Sequence, residues 1–335
     1  MLLPIRGWRL GVLAAAAALL PALAQAEPVR LRVSWAVAPA QFTPLIVATG
    51  VTRHHGSSYL LEAMRTPSSA VSLQAIGVGE LELATFTFTQ LGPAIQNGGM
   101  TDLRIVGDDF RDGTDGHETN LFMVRKDDPI QKIEDLKGKV VAVPNIGSGM
   151  DIYMRVMLRK HGLEHLRDYT IIETPFPTMG PILLERKADL VVGVKPFTLA
   201  PAMQSGARAL FTQVEAVGPT DMVFFVGRDD WLKKNRGVMV DFFEDFIRAS
   251  RWFADPANHD KAVQIAASFT KIPPQQLATI FTKQDFYRDR DARPDLDSIQ
   301  RNVNMLREFG FLTKDLDVRK HADLSYVEEA ARRLK

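Results

Sequence analysis

Apolar and polar positions alternate along this chain in a regular rhythm. Leu31 to Trp35 alternates with a period of two, the mark of a strand with one buried face. Tyr59 to Met64, Leu81 to Phe86 and Leu103 to Gly107 repeat that signal. Between them, Ala70 to Gly77 and Gln90 to Ile95 carry helical spacing; Ser68 or Ser69 is placed to cap the first, and Asn97-Gly98-Gly99 ends the second. Asn120 to Arg125 is a further strand, after which the rhythm restarts. Lys139 to Val143, Tyr169 to Glu173, Ala188 to Val192 and Met222 to Val226 read as strands, with helices at Asp151 to Lys160 and Met179 to Arg186. This order predicts an α/β protein with largely parallel sheets covered by helices. The remainder is helical in pattern: Phe242 to Phe253, Lys261 to Phe269, Gln275 to Phe281, Leu296 to Phe309 and Tyr326 to Leu334.

Two sheet units and a helical tail predict two α/β lobes. Residues 27–122 and 227–335 are expected to form one discontinuous lobe and 123–226 the other. The strands Asn120 to Arg125 and Met222 to Gly227 would carry the chain between them, and no low-complexity linker separates the units.

The N-terminus has a different character. Arg6 and Arg9 precede an apolar run, Leu10 to Leu20, that breaks at Pro21 and closes in Ala24-Gln25-Ala26. That is the layout of a cleaved secretory signal, residues 1–26, and the run is short for a membrane span. Removal of both arginines takes the formal net charge from +1 to about −1, which gives no electrostatic reason to expect nucleic acid as a partner. The chain has no cysteine, so disulfides, thiolate chemistry and a lipid-anchored N-terminal cysteine are all excluded. A free monomeric protein of the periplasm is the expectation.

Candidate chemistry gathers at strand ends. Asn145 to Asp151 (Asn-Ile-Gly-Ser-Gly-Met-Asp) joins a strand to a helix; its glycines permit close backbone approach, Ser148 is a cap, and the helix start offers N–H groups to an anion. Capping alone is the commoner explanation of such a pattern. Thr85 to Thr89 alternates hydroxyls and aromatics, the pattern of a half-polar cleft or of an ordinary strand. Pro175 to Met179, Gly193 to Phe197, and Trp35 with Gln41 and Phe42 complete the set. All fall at the C-terminal ends of predicted parallel strands, the edge where open α/β sheets bind ligands. Signatures of hydrolases and zinc enzymes are missing from the sequence. His161 and His165 have Gly162 between them and read as helix-end residues, His54-His55 as a loop pair, and Asp108 to His117 as a polar loop in which Arg111 attracts an anion. No metal, cofactor or catalytic residue is expected.

Several stretches resemble the nitrate/sulfonate/taurine-type substrate-binding proteins of ABC importers, a superfamily that includes thiamine-pyrimidine precursor proteins. They are Trp35 with Phe42 to Ala48, Leu73 to Ala84 around Gly-Glu-Leu-Glu-Leu-Ala, Ile133 to Val143 followed by Gly147-Ser148, and Leu183 to Leu190. The resemblance implies a type II periplasmic binding-protein fold, in which two lobes joined by two crossing strands close on a ligand. It implies a ligand-binding set of Trp35, Gln41, Phe42, Thr85, Phe86, Thr87, Gly147, Ser148, Phe176 and Lys195. Lys195 stands where many relatives have an acid, which suggests an anionic ligand. The implied function is capture of a small organic anion, an aromatic carboxylate or a sulfonate, for delivery to an ABC permease. A ligand-presenting sensor of the same fold and a pyrimidine-binding protein are the alternatives. The iron-dependent enzymes of the superfamily rely on cysteines, so their chemistry is closed to this chain.

Overall fold

The computed structural model describes residues 27–335, so the expected leader lies outside the described residues. The chain begins with β1 (Val29–Trp35), β2 (Tyr59–Arg65), α1 (Ser69–Gly77), β3 (Leu83–Phe86), α2 (Phe88–Gln96) and β4 (Leu103–Asp112). A second series follows: β5 (Leu121–Arg125), β6 (Lys139–Val143), α3 (Gly149–Lys160), β7 (Tyr169–Glu173), α4 (Phe176–Leu184), β8 (Leu190–Gly193), α5 (Pro201–Gly206), β9 (Ala207–Thr212) and α6 (Gln213–Val217). Then come β10 (Thr220–Arg228), α7 (Asp229–Lys234), α8 (Arg236–Ala254), α9 (His259–Thr270), α10 (Leu296–Glu308) and α11 (Ser325–Arg333).

The strands form two five-stranded sheets, ordered β2-β1-β3-β10-β4 and β7-β6-β8-β5-β9. The two orders follow one plan. In the first, β1 runs parallel to β2 and β3 while β10 is antiparallel to β3 and β4. In the second, β6 runs parallel to β7 and β8 while β5 is antiparallel to β8 and β9. Each sheet thus receives one antiparallel strand from a chain arriving from the other half. The crossings are the segments 113–120 and 213–219. The return falls earlier than the expected boundary at 226/227, because all of β10 from Thr220 to Arg228 pairs with β4.

The elements form for local reasons. In β1, Leu31 and Val33 are buried while Arg30 is exposed, as period-two patterning requires. Ser148 caps α3 by accepting from the Asp151 N–H at 3.4 Å, and Arg159 and Lys160 sit in its last turn. Two expectations change. Gln275 to Phe281 forms only a 3-10 turn at Pro274–Leu277; Phe281 is left-handed (φ 58°) and its N–H is taken by Asp285 Oδ2 at 2.8 Å. Asp108 to Asp112 is not a loop but the buried end of β4.

The helical tail gives the first sheet a second core. Phe225 of β10 packs against Phe242, Phe243 and Phe246 of α8. Gly107 of β4 is required there, since a Cβ would come within 2.3 Å of the Phe243 ring.

Candidate functional site

A cavity lies between the two sheets. Its volume is about 70 Å³. That admits on the order of five waters, or one small molecule. The starts of α1, α2, α3 and α4 all reach it, through Ser68 and Ser69, Thr87, Ser148 and Gly149, and Phe176 respectively. Strand-to-helix turns explain the convergence: in parallel β-α units every helix begins at the same sheet edge. Each start presents the positive end of a helix dipole; α1, α2 and α3 also offer first-turn N–H groups, whereas in α4 Pro177 has none and the Thr178 N–H donates to the Pro175 carbonyl. Ala36, Val37, Met150, Val194 and Met222 supply much of the apolar remainder.

Ser68 is the most telling of these residues. It occupies the cap position of α1 with extended backbone, yet its side chain makes no capping bond. Its hydroxyl is buried and has no partner among the described residues, while the residue lines the cavity at 4 % exposure. A buried hydroxyl without a partner costs about 1–3 kcal/mol, which a ligand atom in the cavity would relieve.

Six of the ten expected residues line the cavity: Gln41, Thr85, Thr87, Ser148, Phe176 and Lys195. Most are held from behind. Thr85 Oγ1 lies 2.9 Å from Ser34 Oγ, which in turn accepts the Thr85 N–H at 2.7 Å. The Gln41 carbonyl accepts the Ala36 and Val37 N–H groups at 2.7 and 3.3 Å, and its amide donates to Asp109 at 3.1 Å. Burial pushes the Asp109 carboxyl up to about 7. Gln41 therefore shapes the 36–41 loop and uses one of its two amide N–H groups on Asp109. Thr87 lies beside Gly149, where a Cβ would sit 2.9 Å from Thr87 Oγ1, so the close approach of α2 and α3 needs glycine.

The other four point elsewhere. Trp35 follows Ser34, so alternation turns it to the opposite face, against Phe269 of α9 at 5.5 Å. Phe86 alternates with Thr85 and Thr87 in the same way and is fully buried in the core. Phe42 stacks on Phe246 of α8 at 4.6 Å and belongs to the second core. Gly147 offers its carbonyl to Gln90 Nε2 at 2.7 Å, a bond from one half to the other. The aromatic residues that line the cavity are Phe110, Phe176 and Phe286.

Lys195 is at the cavity but committed. Its ammonium donates to the Gln284 carbonyl and lies 3.3 Å from Glu118 Oε2. It reaches from the loop after β8 to the tail segment that flanks β4, and so fastens the two halves together. Arg111, expected to attract an anion, is likewise engaged by Asp108 at 3.2 Å and Asp289 at 3.5 Å.

Asn120 lines the cavity from the first crossing and no sequence signal singled it out. Its backbone and side-chain N–H groups both donate to Asp112 Oδ2, at 2.8 and 2.7 Å, and Thr119 donates to Oδ1 at 2.6 Å. Asn120 also donates to Gln213 at 3.1 Å, and Gln213 to Thr220 at 2.7 Å. The two crossings are thereby tied to each other and to the cavity wall. Burial raises the Asp112 carboxyl to about 7. Among the described residues, no group of His, Asp and Glu side chains is arranged to hold a metal ion.

A sequence profile of the NMT1-like family matches residues 24–267. The chain belongs to the NMT1-like family. Solved structures of similar fold include the alkanesulfonate-binding protein SsuA from Xanthomonas axonopodis pv. citri bound to MOPS, 17 % identical over 89 % of this chain and 99 % of that one, with a TM-score of 0.70. The periplasmic nitrate-binding protein NrtA from Synechocystis PCC 6803 is 17 % identical over 92 % of this chain and 90 % of that one, with a TM-score of 0.71. The desulfurization enzyme DSZB also matches, at 14 % identity over 92 % of this chain and 100 % of that one, with a TM-score of 0.61. No curated protein matches the chain. This member of the NMT1-like family therefore has the periplasmic binding-protein fold expected from its sequence, and that fold carries both binding proteins and an enzyme.

Proposed function

We propose that this protein captures a small organic anion between two closing lobes and delivers it to an ABC permease, acting in the periplasm after loss of residues 1–26. The observation that carries the reading is the meeting of the starts of α1, α2, α3 and α4 at one cavity, with the Ser68 hydroxyl left unpartnered. N–H groups and hydroxyls there would hold the anionic end, a carboxylate or sulfonate. The apolar and aromatic wall would take the organic body. Lys195 acts as a fastener between the lobes, and the ligand's charge is met by helix starts. A ligand that touches both lobes favours their closed arrangement by its differential affinity for it. The neighbours named for sulfonate and nitrate binding support the ligand class.

The test is a thermal-shift screen of residues 27–335, unfolded and refolded to strip any carried-over ligand. The panel holds aromatic carboxylates, alkyl and aryl sulfonates, taurine, nitrate and pyrimidines. A native-state ligand at a thousandfold excess over its Kd adds about 4 kcal/mol. A rise of several degrees with one class of organic anion is expected. A shift with pyrimidines alone, or none with any anion, would overturn the ligand assignment.

A further inference from the structure

A second, unassigned site lies on the outer face of the tail helices. A groove of about 570 Å³ is bounded by the turn Gly50 to Arg53, by Arg248, Arg251 and Trp252 of α8, and by Leu334 beyond α11. Among the described residues, the charged side chains that line it are three arginines, and no aspartate or glutamate does.

The guanidinium groups are positioned unequally. Arg248 is fixed by Glu244 at 2.6 Å, yet its buried Nε has no partner among the described residues. Arg251 is fixed by Asp291 at 2.5 Å and by the Arg290 carbonyl at 3.2 Å. Carboxylates thus hold both forks from outside the lining and leave further N–H groups unpaired among the described residues. The Arg53 side chain has no hydrogen-bond or ion-pair partner among the described residues. Its backbone, however, is anchored, because the Arg53 N–H donates to the buried Asp245 at 2.7 Å. The Trp252 indole supplies a flat apolar wall beside them.

Simple solubility does not call for three arginines on one concave surface beside a half-buried indole. Guanidinium forks match the oxygens of a phosphoryl group in geometry as well as charge. We infer that this groove binds a phosphoryl group carried on an organic body, with the phosphoryl oxygens on Arg53, Arg248 and Arg251 and the body against Trp252. The same chemistry is offered by a free phosphate monoester and by the headgroup of an anionic phospholipid. The inference does not depend on the ligand of the inter-sheet cavity.

The test uses phenyl phosphate, by calorimetric titration, and phosphatidylglycerol vesicles, by co-sedimentation. Both are run on a Ser148→Pro background, so that the inter-sheet cavity does not contribute. Arg53→Glu is the probe, since the exposed Arg53 side chain makes no hydrogen bond or ion pair among the described residues; Arg53→Lys separates charge from fork geometry. Saturable binding of phenyl phosphate, weakened at least tenfold by Arg53→Glu and partly kept by Arg53→Lys, supports a free monoester. Vesicle binding alone, lost in Arg53→Glu, supports a headgroup. Neither probe binding, or binding that Arg53→Glu leaves unchanged, overturns the inference.

Discussion

The two halves share a strand order but are supported differently. Both sheets take one antiparallel strand from a chain arriving from the other half, and each brings helix starts to the same cavity. The first sheet carries an extra layer, the helices of the tail, with a core of stacked phenylalanines. The second sheet shares one continuous core with the inner face of the first. Aromatic residues near the cleft therefore have two fates. Those on the tail side, such as Phe42, hold the first half together; those on the inner side, such as Phe176, face the cavity. The difference teaches that proximity to a binding edge in sequence does not decide function. What decides it is which face the strand or loop gives to the later helices.

Breaking the second half's contribution has the largest expected effect. Ser148→Pro keeps φ, which is −70° there, but removes the hydroxyl that caps α3 and the N–H that donates to the Asn145 carbonyl at 3.1 Å. Binding should fall more than a hundredfold while the protein still melts cooperatively, as calorimetry and circular dichroism would report. Phe42→Ala does the opposite. It should cost about 3–5 kcal/mol of stability in denaturant unfolding, with ligand affinity changed less than twofold. Equal losses of affinity in the two variants would erase the distinction between core and cavity residues.

Smaller effects sharpen the comparison. Ser68→Ala removes a hydroxyl that bonds nothing in the fold, so affinity should drop about tenfold or more with no loss in Tm. Lys195→Met releases the fastener on Gln284 and Glu118 without removing a ligand contact. Small-angle scattering should show a larger radius of gyration for the unliganded variant, with a several-fold fall in affinity. Asp112→Asn tests the crossings through pH. The Asp112 carboxyl is raised to about 7 by burial, so the folded state binds a proton more tightly than the unfolded chain, whose carboxyl titrates near 3.8. Its contribution to stability is present below about pH 4, declines as pH rises, and is gone above about 7. Tm measured from pH 4 to 8 should fall less steeply in Asp112→Asn than in the parent protein.

Much of this was legible in advance. Most strands and helices and their division into two sheets follow from hydrophobic periodicity, and the strand-end location of the cavity from the binding edge of open α/β sheets, but no pattern singled out β9 or the short helices α5, α6 and α7. The resemblance assigned Thr85, Phe86 and Thr87 together to the ligand, whereas strand alternation turns Phe86 to the face opposite the two threonines. Phe42 was misread because α8, which covers it, lies some two hundred residues later, and no local pattern announces that contact. Trp35 was misread because Ser34, the inward residue, is the less conspicuous side chain. Ser68 was seen as a possible cap; that its hydroxyl is left free depends on where the cavity falls. Asn120 and the acids of β4 were hidden by their polarity, since a buried polar network reads in sequence like a surface loop.

The most direct measurement of the central claim is the affinity of the strongest anion from the screen for the parent protein, Ser68→Ala, Ser148→Pro and the double variant. Ser68 belongs to the first half and Ser148 to the second. If both halves complete one anion site, each single variant weakens binding in a folded protein, and the double variant loses it. Full affinity in either single variant would show that its half takes no part in holding the anion, and would contradict the account.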